Sequence, residues 1–130
     1  MKTLLYSLLI LATMACSNKT SEEAAQLKTE TFKLHDEIMP VSMELEGFRE
    51  KIIKKSETLD STAKQGALAI SKELDETYND METWMTKLGD VIDMKDSDEK
   101  IKTLQDLKTE GNKIKEKTLN AKKKAEDFLK

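Results

Sequence analysis

At 130 residues the chain is too short for more than one domain of ordinary size. Charged residues at 36%, aromatics at 5%, one proline and four glycines favour helices over sheet. A net charge of −3 excludes nucleic acid as the main partner, because neutralising phosphates needs a net basic face.

The N-terminus carries Met1-Lys2-Thr3, an apolar run from Leu4 to Met14, and Ala15-Cys16. About eleven apolar residues are roughly half of what a bilayer-spanning helix needs, so residues 1–15 read as a cleaved leader. Cys16 is the only cysteine and has no disulfide partner within the chain. The small residue followed by Cys16 resembles the lipobox of bacterial lipoproteins, with Thr13 standing where an aliphatic residue is usual. That resemblance implies that Cys16 is acylated, with palmitate-type chains, and becomes the first residue of a membrane-anchored protein. Ser17, in place of aspartate, implies by the same resemblance an outer-membrane destination. Glu22-Glu23 resembles the acidic export signal of some Bacteroidota surface lipoproteins but lies several residues late, so the body faces either the periplasm or the cell surface. Residues 16–21 read as the lipidated cysteine and a tether, with Thr20 or Ser21 capping the first helix.

From Leu27 the apolar residues recur with a heptad period. Leu27, Leu34, Val41 and Phe48 form one series, and Thr31, Ile38, Leu45, Ile52 and Leu59 form another, offset by four. A helix over about 22–60 follows. Its centre is the stretch His35-Asp36-Glu37-Ile38-Met39-Pro40, which holds the only histidine and the only proline. An interior proline costs on the order of 3 kcal/mol, yet the heptad keeps its register past Pro40, so a kinked but continuous helix is expected rather than a break.

The second helix is expected over about 62–90, opened by a Thr62/Gln65 capping box after Asp60-Ser61. Its seam is Ala67, Ile70, Leu74, Thr77, Met81, Trp84, Leu88 and Val91, widened by Tyr78, Met85 and Ile92. The third helix, about 97–129, opens at Asp96 with Glu99, and its seam is Leu104, Leu107, Gly111, Ile114, Thr118, Ala121, Ala125 and Phe128. Gly111 and Thr118 make it the weakest of the three. Lys108 to Lys130 holds eight lysines and four acidic residues, whereas Glu73 to Glu99 holds ten acidic residues and two lysines, so the last two helices are expected to attract one another. The expected fold is all-α: an antiparallel, coiled-coil-like three-helix bundle spanning residues 22–130.

A first turn near Ser61 would set Ile38 opposite Trp84, Val41 opposite Met81, and His35 near Lys87 and Leu88. His35, Asp36, Glu37, Met39 and Pro40 would then meet Met81, Trp84 and Met85, forming a shallow, adaptable groove for an envelope protein or peptide. The main rival is copper(I) or silver binding by His35, Met39, Met43, Met81 and Met85, since imidazole and thioether suit soft metals. A hard-cation site at Asp36, Glu37, Asp80 and Glu82 ranks lower. A third reading is a structural spacer or coiled-coil oligomer. Catalysis is not expected: there is no second histidine, no glycine-rich phosphate loop and no Glu-x-x-His pair, and no cofactor is implied. The carboxylates of Asp36 and Glu37 diverge by about 100° around a helix, which is wrong for paired acid–base work.

The HDEIMP stretch with its following methionine, the Met81 and Trp84-Met85 positions and the leader together resemble a group of small helical lipoproteins of Bacteroidota, often labelled "viral A-type inclusion protein". The resemblance covers leader and helical body. It implies an envelope location and marks the central stretch as a signature, and it carries no mechanism.

Overall fold

A computed structural model describes the backbone of residues 2–130 and the side chains from Lys19 onward. The side chains of the leader and of Cys16 therefore lie outside what is described. Three helices make up the chain: α1 (Lys2–Ser56), α2 (Ser61–Ile92) and α3 (Asp98–Leu129), each packed against the other two. Short turns make α2 antiparallel to both neighbours and leave α1 and α3 parallel. None of the described helices is long and apolar enough to cross a membrane.

Helix starts are set by oxygen side chains that satisfy free amides. Asp60, not Thr62, caps α2, accepting from the amides of Thr62 and Ala63 at 3.0 Å. Its carboxylate reaches two donors where the Thr62 hydroxyl would reach one. Ser97, not Asp96, caps α3 through the Lys100 amide at 3.2 Å. Thr20 and Ser21 do not start a helix, because α1 is already helical across residues 16–21. The Ser21 hydroxyl instead donates to Asp96 at 2.9 Å, tying α1 to the α2–α3 turn.

The helix ends use lysines. The Lys100 ammonium, largely buried, donates to the carbonyls of Ile92 and Met94 and to Asp96, closing the C-terminus of α2 where the helix dipole favours a cation. Lys55 does the same for α3 at the Phe128 carbonyl, 2.7 Å away. α1 ends on a tight turn, with Glu57, Thr58 and Leu59 amides bonded three residues back.

The core follows the heptads closely. In α1 the series Thr31, Ile38, Leu45 and Ile52 is sealed from solvent, while Leu27, Val41 and Phe48 are only half-buried. The reason is the third helix: α1 points one seam at the bundle axis and divides its flanks between two neighbours. In α2 and α3 the expected seams are buried, except that Ser71 takes the inward place beside a half-buried Ile70, and Phe128 is half-buried. Pro40 sits on the exposed side of an unbroken α1.

Two apolar clusters result. One gathers Leu34, Ile38, Met81, Trp84, Leu88, Leu104, Leu107 and Ile114. The other gathers Leu45, Ile52, Ala67, Leu74, Ala121 and Ala125. Between them, at about the same height, lie Ser42, Thr77 and Thr118, all at most 1% exposed. The two threonines satisfy their hydroxyls on the carbonyl four residues back, at 2.7 and 2.8 Å. Ser42 Oγ has no partner. A buried hydroxyl left unpaired costs stability, so Ser42→Ala is expected to raise the unfolding free energy by about 1 kcal/mol in urea denaturation; a loss of that size would show that the hydroxyl is bonded.

Candidate functional site

The seams between the helices differ in how they are closed. On the α1–α3 seam Glu30, Glu37 and Glu44, seven residues apart, pair with Lys108, Lys115 and Lys122, also seven apart. On the α2–α3 seam Lys87, Asp80 and Glu73 pair with Glu110, Lys117 and Lys124 at the same spacing. The first of those pairs has its charges exchanged relative to the other two. Sliding α3 by one heptad along α2 would bring either Lys117 against Lys87 or Glu110 against Asp80, so the ladder specifies register. The lysines of α3 therefore serve both neighbours, where the charge pattern of the sequence pointed to α2 alone.

Two of these carboxylates, Glu30 and Glu37, and two outside the ladders, Asp96 and Asp127, are held below their ordinary pKa. Hydrogen bonds from Lys108 and Gln26 lower Glu30, and a hydrogen bond from Lys115 lowers Glu37. Lys100 and Ser21 lower Asp96, while Lys123 and Lys130 bring Asp127 down to about 2. The unfolded chain thus takes up protons first. The stability these groups contribute is complete above the ordinary carboxylate value of about 4 and is lost as pH falls through the lower folded values. Thermal melts followed by circular dichroism are expected to hold their midpoint from about pH 7 to 5 and to fall from about pH 4 to 2. A midpoint unchanged at pH 2 would mean that these carboxylate contacts contribute nothing.

The α1–α2 seam is different. Among the described residues no ion pair crosses it. A hollow lined by Glu46 and Arg49 of α1 and by Asp75 and Tyr78 of α2 shows which rows of each helix border it. Stepping by sevens along those rows gives Phe32, Met39 and Ile53 on α1, with His35 beside them, and Met85 and Leu68 on α2. Phe32, Ile53 and Leu68 are 36%, 37% and 48% exposed, and Met39 and Met85 are half-buried against the first apolar cluster. This flank sets apolar and sulfur-bearing side chains beside the charged Glu46, Arg49 and Asp75, where the other two seams are laced by ion pairs.

The central stretch and the tryptophan segment do come together, with a shift. Because α1 ends at Ser56 and α2 begins at Ser61, the turn lies earlier than expected and brings Leu34, rather than Ile38, level with Trp84. The indole is fully buried, its Nε1 donating to the Leu107 carbonyl at 2.8 Å. It occupies the space that Gly111 leaves: a Cβ there would lie 2.8 Å from Cζ2 and 3.1 Å from Cε2 of the ring, and 3.4 Å from Leu34 Cδ1. Gly111 is thus the socket of the core rather than its weak point.

That burial takes Trp84, and Met81 at 1% exposure, out of reach of any outside partner. Among the other candidates, His35 Nδ1 lies 3.0 Å from the exposed Asp36 carboxylate, and its ring meets Phe32 edge-on. Glu37 belongs to the α1–α3 ladder, Pro40 is exposed, and Lys87 turns to Glu110 instead of His35. The five expected copper ligands do not share one environment: Met81 is inside the core and Met43 is 63% exposed, leaving His35, Met39 and Met85 on the flank. Among the described residues no group of three histidine or acidic side chains is placed to hold a metal ion. Phe32, Ile53 and Leu68 do not stand out in the sequence because Glu46 interrupts the row of the first two with Met39, and Leu68 is alone on a row with Asp75 and Glu82. The seven-residue row shared by Phe32, Met39 and Ile53 was the available signal.

The fold and this flank define a class, a small three-helix bundle in which, among the described residues, one of the three seams is crossed by no ion pair. Comparison of the chain with protein families, curated proteins and solved structures finds no match.

Proposed function

We propose that this is a lipid-anchored envelope protein of the outer membrane that acts by binding, as a helical interaction module, and that the α1–α2 flank is its contact surface. One observation carries the reading: two seams are laced by heptad ion-pair ladders, and the third, which no ion pair crosses among the described residues, presents Phe32, Met39, Met85, Ile53 and Leu68 beside Glu46, Arg49 and Asp75. Methionine and aromatic side chains make adaptable contacts with a protein or peptide helix, and flexible thioethers repack at little cost. The leader and Cys16 support the anchor, and the resemblance to Bacteroidota lipoproteins supports the envelope location. The apolar seams are consumed within one chain, which favours a binding module over a coiled-coil spacer that would use them between chains.

A photo-reactive residue at Met39 or Met85 is expected to give a discrete adduct in the native envelope, and one at the exposed Asn112 of α3 is not. Equal labelling from both faces would remove the flank as the contact surface. Copper(I) or silver held by His35 with Met39 and Met85 is the second reading, favoured by their common position on this flank. A titration under reducing conditions that shows binding tighter than micromolar, lost in His35→Ala, would establish it in place of the first.

A further inference from the structure

Resting on the anchor proposed above, we infer that the bundle stands end-on at the bilayer, with the α2–α3 turn towards the lipid and the α1–α2 turn outward. The chain's own reach carries this. Ser21, five residues beyond Cys16, is already fixed to Asp96 of the α2–α3 turn. Five residues span at most about 18 Å extended and about 7.5 Å as helix. The acylated residue and that turn are therefore neighbours, whatever conformation the link takes.

The far end is well separated from it. α2 has 32 residues, so the α1–α2 turn is about 48 Å further along. α1 is helical across residues 16–21, which makes the link a continuation of the bundle axis and not a swivel. Charge acts against this orientation, so the short link has to hold the end in place. The segment from Asp93 to Glu99 carries four carboxylates and one lysine, and repels anionic headgroups within a Debye length of about 8 Å. The outward end is mixed, with Lys51, Lys54, Lys55 and Lys64 among Glu50, Glu57 and Asp60, and Lys123 paired with Asp127.

The orientation narrows the partner. Phe32 and Met39 lie eleven and eighteen residues beyond Ser21, about 17 and 27 Å along the axis. A protein that uses the α1–α2 flank there must itself sit close to the membrane surface, within about 30 Å of the anchored end.

The test uses the full chain in proteoliposomes of phosphatidylethanolamine and phosphatidylglycerol, with a fluorophore on Lys95→Cys or on Glu57→Cys, exposed positions in the two turns. Acylation consumes the Cys16 thiol, so only the introduced thiol takes the dye. Headgroup spin-labelled lipid is expected to quench the Lys95 position several-fold more than the Glu57 position. Equal or reversed quenching overturns the orientation. Palmitate incorporation, with Cys16→Ser as control, is read separately on the same preparations. Acylation with equal quenching removes the orientation alone, and absence of acylation removes the anchor and the orientation together.

Discussion

Trp84→Ala is expected to lower the unfolding free energy by about 3–5 kcal/mol, a large part of the 5–15 kcal/mol typical of a small domain. The indole is the largest fully buried side chain and sits in the first apolar cluster, to which all three helices contribute. Its loss leaves a cavity that close packing cannot collapse into, because α2 and α3 are held in register by the Lys87–Glu110 and Asp80–Lys117 pairs. Trp84→Phe should cost less, about 1–3 kcal/mol, since the Leu107 carbonyl retains its helical donor while the Nε1 bond is lost. Urea denaturation followed by circular dichroism reads both. A change below 1 kcal/mol for the alanine variant would mean that the indole is not packed in the core.

Gly111→Ala is the second large effect, and its sign is the informative part. In an open helix, alanine for glycine stabilises by about 1 kcal/mol. At Gly89, where an added Cβ would have nothing within 4 Å, Gly89→Ala is expected to show a gain of about 0.5–1 kcal/mol. At Gly111 the added methyl meets the indole at 2.8 Å, and overpacking costs about 1–3 kcal/mol. In the Trp84→Phe background the obstructing ring atoms are gone and the penalty should vanish, so the two substitutions are strongly non-additive. Additive effects would show that Gly111 and Trp84 do not share the space.

The heptads were legible because burial of one stripe per helix needs no knowledge of the partner. Ile38, Leu45, Met81, Trp84, Leu104 and Ala121 are inward in the structure for the reason their spacing gives. What spacing leaves open is which flank meets which neighbour. Met85 and Tyr78 were readable as a widened face of α2, but their position beside Phe32 and Met39 depends on the rotation of α1 about its axis. The caps show the same limit at short range. Asp60, Thr62, Ser97 and Asp96 all carry suitable oxygens, and the choice fell to the two that the turns leave in extended conformation.

The sequence by itself determined three helices, the bounds of α2 and α3 to within a few residues and the inward faces, since periodicity and turn chemistry are local; α1 instead runs back to Lys2, past the start expected near residue 22. Tertiary structure alone decided that Gly111 houses the tryptophan, that the lysines of α3 bridge to both neighbours, and that, among the described residues, the α1–α2 seam stays free of ion pairs. Those features depend on the rotation and relative height of helices distant in the chain, and a packed core fixes both only after the helices have met.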